Sequence, residues 1–265
     1  MSFTNSDLPV VLSVSGSDSG AGSGIQADLK TFNNLGVFGV TAITCITAQT
    51  PAEIRSISPV APDLVHEQIR AVSDGFPIAA AKTGMLYNRD IILAVARADI
   101  SQGIPILVVD PEIVTSSSGT RLLQPDAIEA LRSELLPLAR VVTPNVQEAE
   151  ILGGMKITTV EELAKAARAI SELFDIACVA KGGSLQGDTK VDVLCDEGKL
   201  SSSAPRAWTR RDPRRRLRLL RGPGRLPGQG RADGRGGFQG QAVRGARPAG
   251  RPRGRPPPPA QPRRT

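Results

Sequence analysis

The chain holds a single histidine, His66, in 265 residues. A Ser-His-Asp triad or a histidine-rich zinc site has almost nothing to be built from. Cysteine is also scarce. Cys45, Cys178 and Cys195 are odd in number, far apart and set in apolar runs, so they are expected to be buried and reduced, as in the cytoplasm. The longest apolar runs, such as 104–109, are strand-sized and fall well short of the ~20 residues a membrane-spanning helix needs. Residues 1–7 are polar and lack a basic stretch ahead of an apolar one, so no secretory signal is expected.

Acidic residues are scarce in one part of the chain, and charge is unevenly divided along it. Residues 1–200 carry 15 Lys+Arg against 24 Asp+Glu, whereas residues 201–265 carry 18 Arg, no Lys, no Glu and two Asp. The overall charge of +7 is the sum of two unlike pieces and says nothing about nucleic-acid binding by the whole chain. The tail also holds 11 Pro and 11 Gly without helical or alternating period, so disorder is expected over 200–265. Its aromatics, Trp208 and Phe238, are too sparse for base stacking, and it is not read as a nucleic-acid arm.

From residue 8 to about 199, strand-length apolar runs alternate with helix-period segments. Strands are expected at 8–15, 39–48, 78–82, 104–110, 141–143 and 176–181, and helices from 25, 63–72, 89–98, 125–136 and 160–174. This βαβα rhythm is that of an α/β fold with a parallel sheet covered on both faces. Ligands of such sheets bind at the carboxyl ends of the strands, and polar and glycine residues gather there.

Four of these groups could carry chemistry. The loop from Gly16 to Gly24 offers backbone amides and a helix N-terminus to an anion, or is a tight turn with an N-cap. Asp110 closes one strand, as a ligand or as part of an ordinary turn. Asn145 and Glu148 follow the next strand on one side of a first helical turn. With Asp110 they suit Mg²⁺ and phosphate oxygens, and their spacing equally suits a capping box. Lys181, ahead of two glycines, either meets a polyphosphate or marks an exposed turn.

Taken together the motifs are more specific. In order and spacing, Ser15-Gly-Ser-Asp-Ser-Gly-Ala-Gly-Ser-Gly-Ile-Gln-Ala-Asp-Leu-Lys-Thr31, Thr47-Ala-Gln-Thr50, Lys82-Thr-Gly-Met-Leu86, Val108-Val-Asp-Pro111, Thr143-Pro-Asn-Val-Gln-Glu-Ala-Glu150 and Val179-Ala-Lys-Gly-Gly183 resemble the hydroxymethylpyrimidine/phosphomethylpyrimidine kinases of thiamine biosynthesis. The resemblance covers residues 8–196. It implies a ribokinase-like three-layer α/β/α sandwich with a mostly parallel central sheet, ATP and Mg²⁺ as cofactors, and a homodimer. It places Gly16, Asp18, Ser23, Gln49 and Met85 around the pyrimidine, and Asp110, Asn145 and Lys181 by the nucleotide phosphates. Asp110 and Glu148 would face the metal. Pyridoxal kinases share the fold; the Gln49 and Met85 contexts favour the thiamine enzyme.

Three departures stand out. Glu112-Ile-Val-Thr-Ser-Ser-Ser118 replaces a Val-Met start and a lysine-containing loop, and Ser184 replaces a histidine. The third is graver: the Gly-x-Gly-Cys loop that forms the family's anion hole is absent from 184–265, so no catalytic group is intact and the C-terminal part of the fold is missing. The genetic code offers a reason. Asp212-Pro-Arg-Arg-Arg-Leu217, read one nucleotide later in GC-rich codons, permits Thr-His-Gly-x-Gly-Cys. A register slip between about 195 and 208 is therefore expected, with 1–199 an incomplete kinase domain and 200–265 an out-of-frame tail. If the chain is real as written, it is an inactive pyrimidine-binding remnant, and uncovered apolar sheet surface would lower its solubility.

Overall fold

Strand β1 (Val10–Asp18) shows how alternation in the sequence becomes layering: Leu12 and Val14 face one side, and Val11 faces the other with Ser13, Ser15 and Ser17. In the computed structural model, which describes residues 8–50, 53–98, 104–115, 121–185 and 191–203, the chain continues through α1 (Gly24–Asn34), β2 (Phe38–Gln49), β3 (Ile54–Pro59), α2 (Pro62–Gly75), β4 (Ile78–Thr83), α3 (Arg89–Arg97) and β5 (Leu107–Val109). Then come α4 (Pro125–Ala130), β6 (Val141–Val142), α5 (Val146–Gly153), α6 (Val160–Phe174), β7 (Ala177–Lys181), β8 (Asp192–Asp196) and β9 (Lys199–Ser203).

The sheet order is β3-β2-β1-β4-β5-β6-β7-β8-β9. The six strands from β2 to β7 in that order run parallel, and β3 and β8 pair antiparallel with their inner neighbours. One lateral row, Ala42, Val14, Thr83, Val109, Val142, Cys178 and Cys195, crosses seven strands in register with every member fully buried. Its aliphatic members join Ile69, Ile91, Ile92, Leu131 and Ile170 from the helices in one core, each full-sized side chain contributing about 1.5–3 kcal/mol by leaving water. On the opposite face, Phe32 of α1 packs on Val11 in a separate small cluster. Helices thus cover both faces of the sheet around β1, as the α/β reading requires.

Several boundaries differ from expectation, each for a local reason. β1 runs to Asp18 because a bulge between Ser15 and Ser17 lets it keep pairing with β2, so the loop proper is 19–23. The helix expected over 125–136 passes into a π turn (Leu131–Leu135) and a 3-10 turn (Leu136–Leu138), where Pro137 removes a backbone donor. Strand β3 and the β8–β9 hairpin carry no clear alternating signal. The hairpin turns on Glu197 and Gly198, both at positive φ (50° and 73°), the geometry of a two-residue primed turn. Residues 200–203, placed in the tail by composition, complete β9. The remainder of that tail, with the disorder expected of it and the 204–208 part of the interval for the register slip, lies outside the described residues.

All three cysteines are free and buried. Cys178 and Cys195 sit directly opposite each other on β7 and β8, and burial, then the neighbouring Cys195, pushes the Cys178 thiol up to about 12. Among the described residues no helix is long and apolar enough to cross a membrane.

Candidate active site

β1 has β2 on one side and β4 on the other, so the strand order reverses beside it and leaves a crevice at the carboxyl ends of β1 and β4. The glycine loop borders this crevice, and three of its amides turn inward onto one of its own side chains. Asp18 Oδ1 accepts the Gly20 amide at 2.7 Å, and Oδ2 accepts the amides of Gly22 (3.0 Å) and Ser23 (2.8 Å) and the Ser23 hydroxyl (2.8 Å). The loop carries its own anion. Burial alone would raise the Asp18 carboxyl, but the bonds from Ser23, Gly20 and Gly22 together hold it below the ordinary value. Oδ2 is saturated by the loop, and Oδ1, with one donor, keeps acceptor capacity. The tight turn with Ser23 at the N-cap of α1 is present, closed by the Ala21 amide on the Asp18 carbonyl, but the Ser23 hydroxyl is spent on Asp18 rather than on the helix.

Ser23 Oγ also receives Gln49 Nε2 at 3.4 Å, and Gln49 Oε1 accepts from Thr47 Oγ1 at 3.3 Å. Gln49, Ser23 and Asp18 therefore form one hydrogen-bonded chain across the ends of β2, α1 and β1. Both bonds of the Gln49 amide are long, which leaves it ready to exchange them for a ligand edge. Beneath them, a Cβ on Gly16 would stand 2.8 Å from Cys45 Sγ and 3.8 Å from the Met85 Cβ, so Gly16 is required where these side chains close the floor. Gly24, at φ +58°, would drive a Cβ into the Gly16 carbonyl. Four expected pyrimidine residues and the Met85 wall are thus neighbours.

The second cluster lies at the ends of β5, β6 and β7. Lys181 Nζ pairs with Asp110 Oδ1 at 2.9 Å, both side chains largely buried. Lys181 also bridges to Asn145 in a parallel ladder step. The capping-box alternative is realised in full: Asn145 Oδ1 accepts the Glu148 amide at 3.0 Å and Glu148 Oε2 accepts the Asn145 amide at 2.8 Å. Glu148 Oε1 also takes the Ile113 amide at 3.0 Å. Burial pushes the Glu148 carboxyl up to about 7; Lys181 and the Asn145 amide oppose this, and Asp110 and Glu112 add to it. Cap and charged cluster are the same residues, so the two readings do not compete. Glu112, at φ +42°, bears electrostatically on both Glu148 and Cys45 and so stands between the two clusters.

Residue-by-residue reasoning missed a second ion pair. Lys82 Nζ meets Asp28 Oδ2 at 2.9 Å, and Gln26 takes the Asp18 amide on Oε1 (2.9 Å) while giving Nε2 to Ser17 Oγ (2.7 Å). The signal that could have found the pair is a carboxylate at 28, between Ile25 and Phe32 on the buried stripe of α1.

No three His, Cys, Asp or Glu side chains gather to hold a metal among the described residues. Asp110 and Glu148 are hard oxygen donors already engaged by Lys181 and by two amides. That set fits a Mg²⁺ arriving with phosphate oxygens, which needs only one or two carboxylates, and does not fit a resident metal cage. The grooves of about 230 and 420 Å³ between α6 and Leu200 of β9 share no lining residue with either cluster.

A parallel sheet with a self-anchored glycine loop at one strand end and a lysine-carboxylate group at another is the frame of a small-molecule phosphotransferase. The family model described as phosphomethylpyrimidine kinase matches residues 18–211, and the chain belongs to that family. It is 43% identical over 205 residues to the hydroxymethylpyrimidine/phosphomethylpyrimidine kinase of Rhizobium meliloti, covering 77% of this chain and 76% of the relative. The crystal structure of phosphomethylpyrimidine kinase from Clostridium difficile 630 superposes with a TM-score of 0.69 at 37% identity, over 74% of this chain and 84% of that one. The pyridoxal kinase from Staphylococcus aureus in complex with AMP-PCP and pyridoxal reaches 0.65 at 33% identity, over 74% and 70%. The family match runs to residue 211, past the 195–208 interval in which the register slip was expected.

Proposed function

We propose that this chain binds 4-amino-5-hydroxymethyl-2-methylpyrimidine and its monophosphate at the glycine-loop end of the crevice and ATP at the Lys181 end, for phosphoryl transfer in thiamine biosynthesis. The observation that carries this reading is the Gln49–Ser23–Asp18 chain. It presents an amide with one donor and one acceptor, both weakly engaged, beside an apolar floor of Gly16 and Met85. Such an amide matches the adjacent amino group and ring nitrogen of an aminopyrimidine.

At the other end, Lys181 offers an ammonium to phosphate oxygens and in the ligand-free state neutralises Asp110. Asp110 and Glu148 would hold Mg²⁺, with Asn145 fixing Glu148; the ion, when bound, screens the polyphosphate charge. The protein's own part is positioning: Gln49 orients the ring, the Gly16–Met85 floor sets its depth, and Lys181 aligns the phosphates for in-line attack. Because the Gly-x-Gly-Cys loop is absent from 184–265, a second reading, binding without turnover, applies to the literal sequence. A cytoplasmic homodimer completes the proposal, the former supported by three free, buried thiols.

Calorimetric titration with the aminopyrimidine alcohol tests the reading: binding that Gln49→Ala abolishes is expected, and no heat above dilution would overturn it. Resequencing codons 190–220 separates enzyme from remnant, since an intact Gly-x-Gly-Cys in one frame should give pyrimidine-dependent ADP release. Turnover of pyridoxal without turnover of the pyrimidine would transfer the chain to the pyridoxal kinases.

A further inference from the structure

Between β1 and α1 runs a polar seam, where a strand and its covering helix ordinarily meet through apolar side chains. Ser13 Oγ donates to Asp28 Oδ2 at 2.8 Å, and Lys82 Nζ reaches the same oxygen at 2.9 Å. The pair lies deep, with 2% of the Asp28 side chain and 13% of the Lys82 side chain exposed. At its upper end the seam meets Met85. Ser15 Oγ accepts the Met85 amide at 3.2 Å, and Thr44 Oγ1 donates to the Met85 carbonyl at 2.5 Å. A Cβ on Gly84 would collide with Ser15 Oγ and stand 2.9 Å from Lys82 Nζ, so hydroxyl and ammonium both press on the residue just before Met85.

Stability does not call for this arrangement, because a buried ion pair exchanged for apolar side chains of similar volume is often neutral or favourable. What the seam does is hold both backbone groups of Met85 from two different strands and close the third side with a charge. We propose that Ser15, Thr44 and the Lys82–Asp28 pair are positioning residues that fix Met85 and thereby the width of the pyrimidine pocket, selecting the small aminopyrimidine over a bulkier substituted pyridine. This inference rests on the pocket assignment made above.

Two variants and one conservative control test it in the full chain. Asp28→Leu/Lys82→Met removes both charges together and strands neither, and Ser15→Ala removes the acceptor for Met85. Amide exchange of Met85 in the ligand-free protein should speed up about tenfold in Ser15→Ala, the equivalent of one hydrogen bond, with β5–β7 unchanged. The ratio of the Kd for pyridoxal to that for the aminopyrimidine alcohol should fall about threefold to tenfold in both variants while ADP affinity holds, and Lys82→Arg should retain the parent ratio. Unchanged Met85 exchange in Ser15→Ala, or equal acceleration across the whole sheet, would overturn the proposal. Should the double variant fail to fold, Ser15→Ala decides alone. Should the parent bind neither ring, the pocket assignment falls, while Met85 exchange still reports whether the seam holds that residue.

Discussion

The two ends of the crevice handle charge in opposite ways. At the glycine loop, Asp18 is met by four donors within five residues of itself, and its carboxyl is held low despite burial. At the ends of β5 to β7, Lys181 pairs with Asp110 and opposes the rise of Glu148, yet burial, helped by Asp110 and Glu112, pushes the Glu148 carboxyl up to about 7 although two amides serve it. The first end is balanced before any ligand arrives and can afford selectivity by shape. The second holds a buried carboxyl whose proton a cation arriving with phosphates would displace. Rigid recognition and electrostatic readiness are thus separated by the width of a few strands.

The sharpest way to break this contrast is Lys181→Met. It removes the cation from a buried group of carboxylates and should cost about 3 kcal/mol of stability, the low end for an orphaned buried charge. Denaturant midpoints would show it, and nucleotide affinity should fall while pyrimidine affinity holds. Gly24→Ala attacks the other end. A left-handed alanine costs about 1–2 kcal/mol and the collision with the Gly16 carbonyl about 1–3 kcal/mol more, so pyrimidine binding should vanish in calorimetry with nucleotide binding retained.

A third measurement compares the two ends through pH. Burial pushes the folded Glu148 carboxyl up to about 7 from its ordinary 4.5, so within that window the native chain holds a proton that the unfolded chain has released. Stability should therefore decline as pH rises from 4.5 to 7 and level off above, and Glu148→Gln should flatten the slope in thermal melts at constant ionic strength. Asp18 contributes in the opposite sense, its stabilisation being present above its unfolded value and lost as pH drops through the lowered folded one. The smallest effect belongs to Ser23→Ala, which removes one donor from a still well-served carboxylate. It should cost about 1 kcal/mol and weaken pyrimidine binding by less than tenfold.

How much of this was legible depends on distance along the chain. Helix α6 was read at its observed limits because its signals are local: Thr159 and Glu162 form a capping box, and Asp175 ends the helix in the left-handed region. The strand-end placement of Asp110, Asn145, Glu148 and Lys181 followed from the βαβ rhythm alone. The Lys82–Asp28 contact spans 54 residues and Lys181–Asp110 spans 71, and no periodicity marks such partners. The β8–β9 hairpin was missed because its turn uses Glu197 where asparagine or aspartate usually precedes glycine. The loop's self-sufficiency was hidden for another reason: composition shows glycines and one aspartate, but only the fold reveals that the aspartate bends back to fill them.

The facing thiols of Cys178 and Cys195 give the experimenter a built-in clock. Neither sulfur meets solvent while β7 and β8 remain zipped, and a thiol held near 12 is almost wholly protonated at neutral pH. Alkylation by iodoacetamide, read at Cys178 and Cys195 apart from Cys45 by peptide mapping, would therefore time the rate at which this side of the sheet comes apart, without any substitution.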